Sequence, residues 1–324
     1  MTDLSNGATG PEVAYLGPPT SFSHQASLGI FPSHTPAILN AVASFADIFA
    51  AVQGHQDSPG QSKVTYGVVP FENSSNGSVV QLLDLIADHE GKYADVKVCA
   101  EYYLPVHHCL LVSGKSRRIN GGGSASENAF GISKIYTHPQ VWGQCSKFLA
   151  QHMKGVGRID VSSTSLAAQK VKEEGLAPVA AIASKLAGEV NGLDVVAENI
   201  EDEGNNTTRF FVLFNQKGKK FERSTSTDGA KGERKWKALI SFTIAHKSPG
   251  SLADALAVFK EFNFNLTSID TRPSRKQPWH YVFFVECEEI RMAGDEENLR
   301  RMLEELNGHT EGSSYLGCWE DQQG

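Results

Sequence analysis

From Glu12 to about residue 215, short apolar runs alternate with stretches of helical periodicity, and this alternation restricts the chain's topology more than any other feature. EVAYLG is followed by SFADIFAAVQ, YGVVP by SVVQLLDLIADH, KIYTHP by QVWGQCSKFLAQHM, DVSST by SLAAQKVKEEG, and PVAAIAS by KLAGEV. A strand that feeds a helix before the next strand cannot close as a hairpin, so its neighbours in the sheet tend to run parallel. The expected architecture is α/β with a largely parallel sheet. Phe45, Ile48, Phe49 and Val52, like Val79, Leu82, Leu83 and Ile86, recur at helical spacing, which gives each helix one core-facing stripe and marks these residues as structural.

The pattern stops at residues 216 to 235. QKGKKFERSTSTDGAKGERK is charged, contains Gly and Ser and lacks apolar periodicity, the composition of a solvated linker at a domain boundary. Its basic run has no interleaved aromatic residues on which bases could stack, so a solvated face is expected there. Beyond it, KALISFTIA, SLADALAVFKEFN, FNLTSIDTR, HYVFFVECE, ENLRRMLEELNGH and SYLGCWE read as strand, helix, strand, strand, helix, strand, the βαββαβ order of ferredoxin-like α+β domains. Leu252, Leu256 and Phe259, with Leu299, Met302, Leu303 and Leu306, would cover one face of that sheet. The other face is expected to be free for a partner subunit.

Lys and Arg number 30 against 37 Asp and Glu, a formal net charge of −7. A nucleic-acid partner needs a concentrated basic surface, so none is expected, and any anion must be bound locally. The polar start MTDLSNGATGPE lacks the basic flank and apolar core of a signal peptide, and no apolar run approaches membrane-spanning length. The expectation is a cytoplasmic protein with no membrane partner. Cys99, Cys109, Cys145, Cys287 and Cys318 are odd in number and include no CxxC, which suggests reduced, mostly buried thiols rather than a disulfide framework or zinc site. GxSxG, GxxxxGK[ST] and HExxH are all missing, and no metal or nucleotide cofactor is expected.

Several strand-to-helix junctions carry hydroxyls and amides: EVAYLG runs into GPPTSFSHQ, YGVVP into FENSSNGS, KIYTHP into HPQVWGQ, and DV into SSTS. Loops after parallel strands gather at one edge of the sheet, where each following helix offers unpaired N–H groups and a partial positive charge. Hydroxyls and helix N-termini together can hold an anion without a basic surface. Each residue has a plainer role too. Ser23, Ser78 and Ser163 suit N-caps; His138, held extended by Pro139, suits a buried or a pocket position equally; Gln140, Gln144 and Lys147 share a helix face that solvent could claim. His107 and His108 are sequential in a strand, point to opposite faces and make a poor metal pair. NNTTRFFVLF, residues 205 to 214, crowds amides, hydroxyls and a guanidinium onto the lip of a β-prone apolar run.

In order and spacing these stretches resemble prephenate dehydratase over nearly the whole chain, from Glu12 to Trp319. The resemblance is carried by YLGPPTSFSHQA, YGVVPFENSSNGSV, HHCLLV, THPQVWGQCSKFL, SSTSLAA, AAIAS, NTTRFFVL, SPGSLADAL and IDTRPSRKQPWHYVFFVE. It implies a catalytic domain over 11–215 made of two α/β lobes of the type-2 periplasmic-binding-protein kind. Lobe 1 would span about 11–106 and 197–215 and lobe 2 about 107–196, followed by the 216–235 linker and an ACT regulatory domain over 236–320. The implied reaction converts prephenate to phenylpyruvate with loss of water and carbon dioxide, a step of L-phenylalanine biosynthesis that needs no cofactor because aromatisation supplies much of the driving force. Thr208, in the TRF motif, matches the residue the family uses on the departing hydroxyl, by hydrogen bond or proton relay. Glu72 is the second catalytic candidate: it would protonate the leaving group if burial raised its pKa, or else accept from backbone amides. The implied substrate-binding set is Thr20, Ser21, Phe22, Asn73, Ser74, Gly77, His138, Gln140, Gln144, Ser163, Thr164, Arg209 and Phe210. Arg209 would clasp a carboxylate with two bonds or tie the hinge by an ion pair. Phe22 and Phe210 would touch the cyclohexadiene ring or belong to the core.

In the implied ACT domain, Pro249, Gly250, Ser251 and Leu252 occupy the family's GAL position and Asp270, Thr271, Arg272 and Pro273 its ESRP position, with Ser251, Asp270 and Thr271 as conservative departures. Together they imply an L-phenylalanine site between subunits, hence a homodimer or homotetramer, and feedback regulation. Gly250 would let the backbone approach a bound amino acid closely. Three other readings remain open: arogenate dehydratase, acting on the amino analogue; a solute-binding receptor; and an amino-acid sensor without catalysis.

Overall fold

The computed structural model describes residues 10–31, 37–54, 64–114, 131–175, 178–218, 233–292 and 296–322. Its first elements are β1 (Glu12–Leu16), α1 (Phe22–Ile30), β2 (Ile38–Val42), α2 (Phe45–Gln53), β3 (Tyr66–Asn73), β4 (Gly77–Ser78), α3 (Val80–Ile86) and β5 (Val96–Pro105). A second group follows: β6 (Cys109–Ser113), β7 (Lys134–Thr137), α4 (Pro139–Gln144), α5 (Ser146–His152), β8 (Gly157–Asp160), α6 (Thr164–Glu174), β9 (Val179–Ala183), α7 (Lys185–Asn191) and β10 (Leu193–Ala197). The chain then returns to the first group through β11 (Thr207–Asn215). Last come β12 (Arg234–Thr243), α8 (Ser251–Glu261), β13 (Asn265–Pro273), β14 (Tyr281–Arg291), α9 (Glu297–His309) and β15 (Gly312–Glu320). Of the expected linker, residues 219–232 lie outside the described residues.

Helix starts follow side-chain chemistry. Ser21, Ser44, Ser163 and Ser184 accept from backbone N–H groups at the heads of α1, α2, α6 and α7, and Ser44 with Asp47 forms a capping box. Ser21, not Ser23, caps α1; Ser23 lies inside the helix. Two sheets result. β1 runs parallel to β2 and β3, and β7 parallel to β8 and β9, as the alternation predicts. The sheets are nonetheless mixed, because β11 pairs antiparallel with both β3 and β5, and β6 antiparallel with β9 and β10. These antiparallel strands are the ones that carry the chain between the two bodies, which breaks the strand–helix–strand rhythm. Helix α1 covers one face of the larger sheet over Val13, Tyr15, Val68, Phe210 and Val212. Helices α2 and α3 cover the other through Ile48, Phe49, Val52, Leu82, Leu83 and Ile86.

The C-terminal strands extend the larger sheet in the order β13-β14-β12-β15-β5-β11-β3-β1-β2. The join between β15 and β5 is narrow, with Gly317 opposite Val98 in parallel pairing. Gly317 has φ 144°, and a Cβ there would lie 2.1 Å from the Val98 carbonyl oxygen, so this close approach requires glycine. Helices α8 and α9 cover one face of the C-terminal sheet through Ala238, Ile240, Phe242, Val285, Met302 and Leu306. The opposite face corrects the expectation of a surface left for a partner subunit. Leu239, Phe284, Leu316 and Trp319 on that face share one core with α2, α3, β3 and β11 of the same chain. Phe71 stacks on Phe211 at 4.0 Å between centroids, and Trp319 tilts against Phe211 at 5.1 Å. Among the described residues, no helix is long and apolar enough to cross a membrane.

Candidate active site

The two bodies meet where the chain crosses between them, and the crevice there has a volume of about 260 Å³. From the first body it is lined by Ser21 and Phe22 at the head of α1, by Asn73 and Asn76 at the end of β3, and by Thr208 on β11. The second body contributes Val106, His108, His138, Gln140, Val141, Gln144 and the run Ser162 to Ser165. Two helices of more than two turns, α1 and α6, thus point their N-termini at the crevice, with orphan N–H groups and the positive end of each dipole. None of the described lining residues is Asp, Glu, Lys or Arg.

Asn73 organises this site. Its Oδ1 accepts from the backbone N–H groups of Ser75 and Asn76 at 3.0 and 3.1 Å, which fixes the orientation of the amide. Its Nδ2 must then face the other way, and it donates to Thr208 Oγ1 at 3.0 Å and to Asn206 Oδ1 at 2.8 Å. A hydroxyl that accepts from a neighbouring amide keeps its own proton for another partner. No acceptor for the Thr208 hydroxyl is found among the described residues, so that proton is directed at whatever fills the crevice.

On the opposite wall His108 is 1% exposed, and its Nε2 meets Gln144 Oε1 at 2.9 Å. Burial holds the imidazole below its ordinary pKa, against the upward pull of that hydrogen bond and of Glu201. The neutral ring therefore donates from Nε2, which occupies the Gln144 carbonyl and leaves the Gln144 NH₂ as the group on offer. His107 turns the other way to Glu201 at 2.7 Å. His108 Nδ1 and Ser165 Oγ are buried without a hydrogen-bond partner. Each such atom costs about 1–3 kcal/mol, as expected of walls that a ligand completes.

Of the sequence candidates, Ser21, Phe22, Asn73, His138, Gln140, Gln144, Ser163, Thr164 and Thr208 are brought together here. Ser163 does two jobs, capping α6 through Leu166 N–H while lining the crevice. Thr20 is buried just behind, at φ 72°, a strained conformation for a β-branched residue. Five candidates lie elsewhere. Phe210 is 1% exposed within the α1-covered core, so it has no face for a substrate ring. Gly77 belongs to β4, paired with Asn73 and outside the crevice lining. Glu72 and Ser74 line a separate cavity of about 810 Å³ on the far side of β11, between the catalytic body and the C-terminal domain.

For Arg209 the structure corrects the substrate-binding assignment and favours the ion-pair alternative. Successive side chains of a strand point to opposite faces, so with Thr208 in the crevice Arg209 turns into that second cavity. There its Nε donates to Glu101 Oε2 at 2.8 Å and its Nη2 to Glu286 Oε2 at 2.6 Å, with the side chain 8% exposed. The Glu286 and Glu101 charges raise its pKa although burial opposes them. It is an interdomain ion pair and makes no contact with the crevice. Sequence reading also missed Asn76, Val106, His108, Ser162 and Ser165. Asn76, Ser162 and Ser165 lie within the polar junctions ENSSNGS and SSTS, and for His108 the signal is that, if His107 is the exposed member of the pair, its neighbour must face inward.

In the C-terminal domain Gly250 caps α8 at φ 90°, a left-handed position suited to glycine, and Ser251 Oγ donates to the Ser248 carbonyl. Pro249, Gly250, Ser251 and Leu252 thus open α8, while Asp270, Thr271, Arg272 and Pro273 end β13. Asp270 accepts from Ser78 Oγ at 3.2 Å, and Arg272 grips Asp84 of α3 through two bonds of 2.6 and 3.0 Å. The five cysteines are all free and buried.

Two α/β lobes around a crevice with no Asp, Glu, Lys or Arg among its described lining residues, with a βαββαβ domain docked behind them, define a periplasmic-binding-protein-like protein carrying a ferredoxin-like module. The prephenate dehydratase family model matches residues 13–218 and the ACT domain model residues 239–308. The chain belongs to the prephenate dehydratase family. It is 33% identical over 311 residues to the bifunctional chorismate mutase/prephenate dehydratase of Aquifex aeolicus, covering 95% of this chain and 73% of that one. It is 32% identical to the probable prephenate dehydratase of Saccharomyces cerevisiae, covering 85% of this chain and 86% of that one. The chain spans 64% to 73% of the length of such bifunctional bacterial relatives. The prephenate dehydratase of Arthrobacter aurescens, solved in complex with L-Phe, superposes with a TM-score of 0.74 at 23% identity, over 96% of this chain and 90% of that one, and shares the fold.

Proposed function

We propose that the chain catalyses the decarboxylating dehydration of prephenate to phenylpyruvate in the crevice, with Thr208 as donor to the departing C4 hydroxyl. The observation that carries this reading is the Asn73 amide, pinned by two backbone N–H groups, which occupies a Thr208 lone pair and leaves the threonine proton for the substrate. In the reaction the C1–carboxylate bond breaks, its electron pair enters the ring, and the C4–oxygen bond breaks with uptake of one proton. The products are carbon dioxide, water and the aromatic keto acid. A hydrogen bond placed on the leaving oxygen stabilises charge that exists only as that bond breaks, the condition for lowering a barrier.

The lack of Asp, Glu, Lys and Arg among the described lining residues supports the decarboxylation half. A cation on the departing carboxylate would stabilise the ground state and be lost with neutral carbon dioxide. Neutral N–H and O–H donors at the heads of α1 and α6, with the Gln144 amide, bind the dianion more gently. Ser21, Phe22, His138, Gln140, Ser163 and Thr164 take binding roles in this assignment. Glu72 has none, since it lines the other cavity. The division into a catalytic domain over 11–215, a linker and an ACT domain over 236–320 is part of the same reading.

L-Phenylalanine is the proposed effector, acting through the ACT domain of an assembly that is at least a dimer. The open edge of β13, with Leu266 and Ile269 exposed, favours such pairing. Five buried free thiols favour a reducing, cytoplasmic setting. The deciding experiment is incubation of the purified chain with prephenate and with arogenate, each with and without phenylalanine, while phenylpyruvate or phenylalanine is measured. Turnover of prephenate supports the reading, turnover of arogenate alone reassigns the substrate, and turnover of neither overturns it.

A further inference from the structure

The face of β11 turned away from the crevice carries a buried polar network that crosses the domain boundary. Arg209 is held by Glu101 of β5 and by Glu286 of β14 in the C-terminal domain. Lys237 of β12 closes the network on Glu101 at 3.2 Å and on Asp321 at 2.8 Å. Glu101 Oε2, which faces Arg209, also accepts from the Tyr103 hydroxyl, while the second oxygens of the two carboxylates are held by other donors, Glu101 Oε1 by Gln322 N–H and Glu286 Oε1 by Thr267. Phe211, Phe71, Tyr103 and Trp319 enclose the guanidinium, with ring centroids 5.0 to 6.0 Å away. Replacing such a network by apolar side chains is often neutral or stabilising, so net stability does not account for it; what it fixes is geometry.

The geometry in question is that of Thr208. The β11–β3 ladder slips between Arg209 and Phe210, where Phe71 is the extra residue on β3, while β11 keeps a regular pairing with β5 from Thr207 to Val212. A bulge bends its own strand, so it is Glu72 and Asn73 of β3 that are re-aimed here, and against that irregular neighbour β11 carries the reacting hydroxyl on one face and the clamped guanidinium on the other. We propose that Arg209 is a positioning residue for Thr208, and that Glu286 makes the C-terminal domain part of the catalytic scaffold by holding Arg209 from behind. This inference rests on the assignment of Thr208 to the dehydration.

The test uses the full chain and two measurements. Glu286→Gln lowers kcat about tenfold with KM within about twofold, because a displaced donor loses transition-state contact more than ground-state binding. Glu286→Asp, which keeps the charge, recovers most of that loss. Asp84→Asn breaks a different contact between the same two domains, away from β11, and leaves kcat within about twofold of the parent. Hydrogen exchange over residues 205–211, read without substrate, accelerates about fivefold in Glu286→Gln and stays at the parent rate in Asp84→Asn. Should Glu286→Gln fail to fold, Arg209→Lys, which keeps the charge and loses the planar fork, carries both measurements. Parental kcat with parental exchange in the Glu286 variant, or an equal loss in Asp84→Asn, overturns the inference. If the parent itself leaves prephenate untouched, the functional reading fails, and the exchange data alone still decide whether Glu286 holds β11.

Discussion

One amide decides which way the Thr208 proton points. Because Asn73 Oδ1 is consumed by Ser75 and Asn76, Thr208 can only accept from Asn73 and donate outward. Thr208→Val, nearly isosteric, is expected to reduce kcat by about 10²- to 10⁴-fold with an unchanged melting temperature, measured by phenylpyruvate release and calorimetry. Asn73→Asp is the sharper test. The introduced carboxylate accepts the threonine proton, turns the hydroxyl backward, and is expected to cut kcat by about 10²-fold with a smaller change in KM. At this scale the sequence was informative about chemistry and poor about direction. Alternation along TTRFF says that Thr208 and Arg209 face opposite sides, but nothing in the chain says which side is the crevice, so the sequence left Arg209 open between a carboxylate clasp and the ion pair that it makes.

Between elements, the contact of α3 with β13 gives the structure a specific acid sensitivity. Arg272 hydrogen-bonds to Asp84 and, with its charge, holds that carboxyl below its usual range. A carboxylate with a depressed folded-state pKa contributes stability above its unfolded pKa, about 4, and loses the contribution as pH falls through its lower folded value. The melting temperature should therefore fall on acidification below about pH 4 more steeply in the parent than in Asp84→Asn, which should itself be destabilised at neutral pH by about 1 kcal/mol or less. Denaturation curves from pH 7 to 3 measure both. The stripes of α2 and α3 and the strand–helix rhythm were legible, because an amphipathic period is a local property. The antiparallel partners of β11 were not, since pairing depends on residues more than a hundred positions away. Neither was β2, a half-exposed edge strand with little apolar contrast.

For the molecule as a whole, the ACT domain is docked on its own catalytic body through Leu239, Phe284, Leu316 and Trp319. Near-continuous apolar runs, ALISF on β12 and VFFV on β14, show that both faces of that sheet are covered, but an apolar face carries no label for the surface that covers it. The βαββαβ order was therefore readable and the docking was not. Asp270 and Arg272 face Ser78 and Asp84 in this arrangement, so the proposed effector site and the domain docking would draw on the same strand end. Phenylalanine is expected to raise the melting temperature and lower turnover together; a ligand at about 100 times its Kd adds about 2.7 kcal/mol to the state it binds. Unchanged melting and unchanged rate in its presence would remove it as effector. The narrow seam at Gly317, where the Val98 carbonyl fills the space a methyl group would need, sets a rule for chimeras: a regulatory module grafted from a relative will seat on this enzyme only if its last strand brings glycine to that point.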